Sequence, residues 1–296
     1  MTGQGQLHSP RRLDVETVEQ ACPAWHSGFP RPLVDLSQLT QFDPFALLLL
    51  ALHGRRCREA GGHVRFLLPE NARALQGLVR AGLFRLLEDA CWTDRPVPKV
   101  AGSTPPVVLV RVPAESAIRP IVDDTGERLE DRFPFGQRAN RLLVGALIEL
   151  LQNITHHAAP RGGDPDPFGL ACLEETRHNI HLAVGDKGIG LAGSLGLNPS
   201  FHGLSPHRAL EAVLVDGASR FDDLGRGGAL KRIREVVRES SGRLYVRSGS
   251  GALLQQDVEW SVGEVHPFPG VQISIRLPRL LFEPPPEESP DAATCP

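Results

Sequence analysis

Residues 137–158, QRANRLLVGALIELLQNITHHA, read together with 183–195, AVGDKGIGLAGSL, and 224–237, LGRGGALKRIREVV, decide the reading of this chain. In the first stretch, apolar residues at 142, 143, 146, 147, 150, 151 and 154 fall on one broad face, which predicts a long amphipathic helix. Glu149 and Asn153 are four apart and leave the same side of that helix, so both reach one ligand. Asn153 offers a neutral carbonyl oxygen of the kind Mg²⁺ accepts, and Glu149 offers a carboxylate that orients or deprotonates an attacking hydroxyl. The same spacing also arises on an ordinary solvated helix face.

The second stretch predicts a strand ending at Asp186, followed at once by Gly188 and Gly190. A strand-end carboxylate accepts a hydrogen bond from an exocyclic amine such as adenine presents, and the two glycines permit close backbone approach and free turning. An aspartate-rich turn explains these residues as well. The third stretch sets Gly225, Gly227 and Gly228 directly before an amphipathic helix, where free amides and the positive helix end suit a phosphate. A flexible linker is the plain alternative. Between these landmarks, 168–176 and 178–186 read as two strands and 206–216 as a helix. The segments 242–251 and 271–278 complete a mixed sheet, with 253–261 a further strand candidate.

In this order, the three stretches resemble the GHKL (Bergerat-fold) ATPase superfamily over residues from about 121 to 280. That superfamily includes histidine kinases, bacterial anti-sigma serine kinases and DNA gyrase. LIELLQNITHHA is similar to its N box and VGDKGIGLAGSL to its first glycine box. The resemblance implies an α/β sandwich with an ATP lid, and ATP and Mg²⁺ as cofactors. It implies Glu149 as the catalytic glutamate, Asn153 as the Mg²⁺ ligand, Asp186 as the adenine-reading aspartate, and Gly188, Gly190, Gly225, Gly227 and Gly228 as nucleotide-binding glycines. Ala229 departs from the pattern, standing where another glycine is expected, and its methyl narrows the approach to phosphate. His157 falls where related regulatory ATPases carry a histidine, though a helix-end histidine also caps or packs. Lys187, Arg226 and Lys231 could face phosphates, though basic side chains near a glycine loop are usually just solvated.

Toward the N-terminus, 32–87 alternates strand, turn, apolar helix, Gly61–Gly62 break, strand and helix, which predicts a small α/β layer. The part from about 31 to 90 resembles a STAS domain, the fold of anti-sigma-factor antagonists. That family carries a phosphorylatable hydroxyl after its aspartate, whereas this chain reads Asp43, Pro44, Phe45, Ala46, so regulation at that point looks lost. The expected organisation is a flexible segment 1–30, a STAS-like domain 31–112, a GHKL domain 113–282 and a disordered tail 283–296. The strand 107–112 either closes the first domain or begins the connector. The fold class is α/β, of the α+β kind, with two apolar cores.

The 296 residues, 41% of them hydrophobic, are enough for two such cores. A formal charge of −3 and the lack of any basic run interleaved with aromatics argue against a nucleic-acid surface. Five cysteines at 22, 57, 91, 172 and 295 form no CxxC pair, which suggests neither a disulfide framework nor zinc and fits a reducing cytoplasm. His202 and His207 lack metal-ligand spacing. The longest aliphatic run, 45–52, is too short to cross a bilayer, so no membrane association is expected.

The function implied is a bacterial ATP-binding signalling regulator with a protein partner, as a monomer or a homodimer. Either it transfers the γ-phosphate to a serine or threonine of that partner, or it is an ATP-gated binding switch with weak or no hydrolysis. A sensor histidine kinase is disfavoured, since none of the eleven histidines precedes Asp or Glu.

Overall fold

The computed structural model describes residues 11–99, 107–157, 168–220 and 228–284. The order is β1 (Arg12–Leu13), α1 (Val18–His26), β2 (Leu33–Asp35), β3 (Gln41–Phe42), α2 (Pro44–Glu59), β4 (Val64–Leu67), α3 (Ala72–Arg80), α4 (Leu83–Leu86) and β5 (Cys91–Thr93). Then come β6 (Val107–Val112), α5 (Ile118–Arg132), α6 (Gln137–His157), β7 (Gly169–Glu175), β8 (Asn179–Gly185), α7 (Gly190–Leu195), α8 (Pro206–Glu211), α9 (Ala229–Glu239), β9 (Arg243–Gln256) and β10 (Glu259–Pro278). The class is mixed α/β of the α+β kind.

Parallel pairing is confined to the first part: β1 with β3, and β2–β4–β5. The later strands form one sheet in the order β6–β7–β8–β10–β9. Although a mixed sheet is expected there, every pairing in it is antiparallel. The reason is connectivity: β8 and β9 run the same way and are joined through α7–α9, but β10 returns from β9 as a hairpin and inserts between them. Residues 253–261 are not a separate strand; they are the hairpin tip, turning at Asp257, whose φ is +52°.

The apolar helix α2 explains the layering. It begins at Asp43, whose carboxylate accepts from the Ala46 amide at 2.9 Å, with Pro44 at its first position. All residues from Pro44 to Gly54 are buried, leaving no face for water. On one side lies the sheet of β2, β4 and β5, contributing Val34, Val64 and Phe66; on the other lies the back of the five-stranded sheet, contributing Leu170, Cys172, Ala183 and Tyr245. The opposite face of that sheet packs Ile180, Leu182, Val184, Val246, Ile273 and Ile275 against Leu143, Leu147, Leu150 and Leu151 of α6. Two cores therefore exist, but they do not divide at residue 112. The first core spans both parts, and β6 is the edge strand of the five-stranded sheet.

The N-terminal segment expected to be loose is structured from residue 11. Val18, Ala21, Cys22 and Trp25 of α1 are buried. Glu19 binds the fully buried Arg247 of β9 at 2.9 Å and accepts from the Tyr245 hydroxyl at 2.9 Å, while Glu16 pairs with Arg243 at 2.6 Å. The partners are more than 220 residues away in sequence, so local periodicity gives no sign of them. The tail beyond Pro284 lies outside the described residues. The helix α5 carries few apolar residues, only Ile118 and Leu129 being buried. It is held at its end by Asn140, whose amide donates to Leu129 and Phe133 carbonyls at 3.3 and 3.1 Å.

Because α2 joins both parts, Leu48→Ala is expected to lower stability by about 2–5 kcal/mol. It should do so in one transition. Denaturation followed separately at Trp25 and at Trp260 should show both shifting together; a shift at Trp25 alone would contradict the shared core.

Candidate functional site

The amphipathic α6 lays its apolar stripe on the sheet, which lifts Glu149 and Asn153 to the edge of a cavity of about 680 Å³. On the far side β8 ends at Gly185, and Asp186 follows directly. The π-helical turn Ala212–Asp216 that continues α8 adds a wall through Val213, and α9 begins at the mouth with Gly228, Ala229 and Arg232. Glu149, Asn153, Asp186, Gly190 and Gly228 thus line one space, between apolar walls that include Val184, Leu191, Leu195, Val271 and Ile273. Its size, and the convergence of several polar side chains between apolar walls, are those of a small-molecule pocket.

Asp186 is 4% exposed. Burial pushes its carboxyl up to about 7, opposed by hydrogen bonds from the Gly188 and Val271 amides and by the Lys187 charge. The Gly188 amide donates to Oδ1 at 2.7 Å, so Gly188 holds the carboxylate and does not itself line the cavity. The backbone of Asp186 is clamped by β10: its amide donates to the Val271 carbonyl at 3.0 Å, and its carbonyl accepts from the Gln272 side chain at 2.8 Å. Gly270, at φ +83°, makes this possible, since a Cβ there would come within 2.1 Å of the Asp186 carbonyl. Gly190, at φ +71°, has Ser248 Oγ 2.8 Å from where its Cβ would stand.

Gly228, at φ +71°, is the left-handed residue that starts α9, and Ala229 is the first helical residue beside the cavity. Gly225, Gly227 and Arg226 lie outside the described residues, as does the side chain of His157. Lys187, one of the basic residues that could face phosphate, instead pairs at 2.8 Å with Glu59 at the end of α2. Lys231 packs beside Gly217, outside the cavity lining. Among the described residues, the arginines that line the cavity are Arg220 and Arg232, with His156 beside them. Arg220 donates to the His156 carbonyl at 2.6 Å, tying the segment that follows the π-helical turn to the end of α6. Arg232 reaches Glu149 at 3.7 Å. Sequence reasoning missed both arginines, and missed Gly270 and Gln272. The signal for Gly270 was present, a lone glycine inside HPFPGVQ, but its partner is the distant Asp186.

A second polar arrangement has the composition of a nucleophilic triad. His181 Nε2 lies 2.7 Å from Ser274 Oγ, and its Nδ1 lies 3.8 Å from Asp43. All three are buried between the sheet and α2, and none lines this cavity or a smaller one beneath α5. Burial, aided by Arg276 and Arg243, lowers His181 to about 3, so the ring is neutral. Buried together, with His181 hydrogen-bonded to Ser274, the trio serves to satisfy buried polar groups. Among the described residues no group of three or more His, Cys, Asp or Glu is placed to hold a metal ion, and no helix is long and apolar enough to cross a membrane.

Compared with known proteins, the chain matches no family model and no curated protein.

Asp186 titrates near 7 when folded, against an ordinary value of 3.8, so folding takes up a proton between those values. The stability associated with that proton is present at low pH and lost as the pH rises toward about 7. The unfolding free energy of wild type relative to Asp186→Asn is expected to decline over this range in paired urea titrations. A pH-independent difference would show that the carboxyl is not perturbed.

Proposed function

We propose that the chain binds ATP with Mg²⁺ in this cavity and acts as a nucleotide-binding signalling regulator. One observation carries the reading: a buried carboxylate, a helix-borne carboxamide and carboxylate, and a glycine-led helix start converge on a single space. In this reading the purine lies between the apolar walls and donates its exocyclic amine to Asp186. The phosphates extend toward Gly228 and the first turn of α9, an eleven-residue helix whose positive end favours anions. With no carboxylate cluster among the described residues, Mg²⁺ would draw its ligands from phosphate oxygens, water and the Asn153 carbonyl oxygen. Glu149 then takes the proton of an attacking hydroxyl, as the oxygen bonds to the γ-phosphorus and the bond to the β-phosphate oxygen breaks, releasing ADP.

The lid-like stretch supports a gating role alongside turnover. Val213, Ala218, Ser219 and Arg220 form part of the cavity wall, so occupancy and the conformation of this stretch are coupled. The STAS-like part packs on the opposite face of the five-stranded sheet and lines none of the cavity, so a phosphate acceptor would come from another protein. The outer face of β2–β4–β5 suits such a protein, with Leu33, Arg65 and Trp92 side by side and Trp92 66% exposed.

Equilibrium binding and a labelled-ATP assay test this. Asp186→Asn should weaken ATP binding at least about tenfold. Asn153→Ala should abolish the Mg²⁺ dependence, and Glu149→Ala should retain binding while losing turnover. Wild-type affinity should fall as the pH drops below about 7, because the protonated Asp186 carboxyl is a weaker acceptor for the purine amine than the carboxylate. Wild type that binds ATP without hydrolysing or transferring phosphate would leave the gating role and remove the kinase role; unaltered binding in Asp186→Asn would remove the adenine contact.

A further inference from the structure

Arg232 occupies the mouth of the cavity, where two features meet. Its guanidinium lies 3.7 Å from the Glu149 carboxylate, and a Cβ on Gly228 would stand 3.6 Å from its Nη1. One end of the span is the only carboxylate other than Asp186 in the described cavity lining; the other is the left-handed glycine that opens α9. Both partners are partly solvated, with Arg232 59% and Glu149 43% exposed, so the pair is weak and the long side chain can change partners at low cost.

We infer that Arg232 senses the terminal phosphate: it leaves Glu149 for the γ-phosphate oxygens when ATP binds, and so frees the carboxylate in the same movement. The inference rests on the ATP reading of this cavity. A guanidinium one turn into α9 stands beside the backbone amides expected to hold the phosphates, and its planar fork suits a tetrahedral oxyanion better than a single carboxylate oxygen at 3.7 Å. With nucleotide absent, the ion pair withdraws Glu149 from proton transfer. With ADP, the terminal charge falls short and Arg232 stays with Glu149. The arginine therefore discriminates triphosphate from diphosphate and couples that discrimination to the availability of the base. Electrostatic linkage makes the two effects inseparable, since one cation serves two anions in turn.

The full-length protein with Mg²⁺ and either ATP or ADP provides the test, by calorimetry. Arg232→Ala should reduce ATP affinity about tenfold while leaving ADP affinity within about twofold. Arg232→Lys should restore part of the difference. Glu149→Gln, which removes the competing anion, should raise ATP affinity severalfold and leave ADP unchanged. The exposure of Arg232 argues against misfolding as the source of the change, and thermal unfolding of each variant checks it. If wild type binds neither nucleotide, the reading of the cavity falls and this inference with it. If wild type binds ATP but Arg232→Ala weakens ATP and ADP equally, or neither, the sensing role alone is overturned.

Discussion

A helix that is almost wholly apolar around its circumference is stable only where its neighbours exclude water from every side, and α2 is such a helix from Pro44 to Gly54. The molecule meets this constraint by placing α2 between two sheets. The three-stranded parallel sheet supplies one cover and the back of the five-stranded antiparallel sheet the other. The latter sheet is then buried on both faces, since α6 and its neighbours already occupy the front. β8, at its middle, is pinned from both directions. Gly185 at its end has room only for hydrogen, because a Cβ would stand 2.9 Å from Leu48 of α2.

That rigidity reaches the cavity through one residue. Asp186 follows Gly185 directly, with its backbone held by Val271 and Gln272 and its carboxylate by the Gly188 amide. Desolvating a carboxylate is costly, and the cost is visible in the raised pKa. Such a group is kept where its acceptor capacity is used, and a buried acceptor at the end of an apolar slot discriminates strongly for a ligand that donates to it. The other polar groups at the site are of the opposite character. Glu149 and Arg232 are partly solvated and adjustable, on helices that border the cavity mouth. The cavity thus has a fixed inner end and an adjustable outer end.

The elements of the second half were largely legible. The broad apolar stripe of α6, the strands around 169–175 and 179–185, and the start of α9 at residue 229 follow from periodicity and glycine placement that act over one or two turns. Less legible were α1 and α5. The first is stabilised by Arg243, Tyr245 and Arg247, over 200 residues away in sequence, and the second shows a mostly charged surface with i,i+4 pairs such as Arg128–Asp124. Glu149, Asn153 and Asp186, which line one cavity, could be placed on their elements from sequence because each lies at a definite position on its own helix or strand end. Lys187 was misplaced for the converse reason: its direction depends on Glu59, which is brought near only by the packing of α2.

The sequence by itself determined the local elements, the all-round apolarity of α2, and the side of α6 from which Glu149 and Asn153 emerge, since these depend on repeat periods within a few residues. Only the tertiary structure decided that β6 joins the second sheet, that both parts share one core, and that Gly270 clamps Asp186. It likewise decided that Arg232, rather than Lys187, stands over the cavity mouth. Those outcomes turn on which distant surfaces meet, and close packing settles that by excluding every arrangement in which the chain leaves α2 wet or fits a side chain where only hydrogen has room.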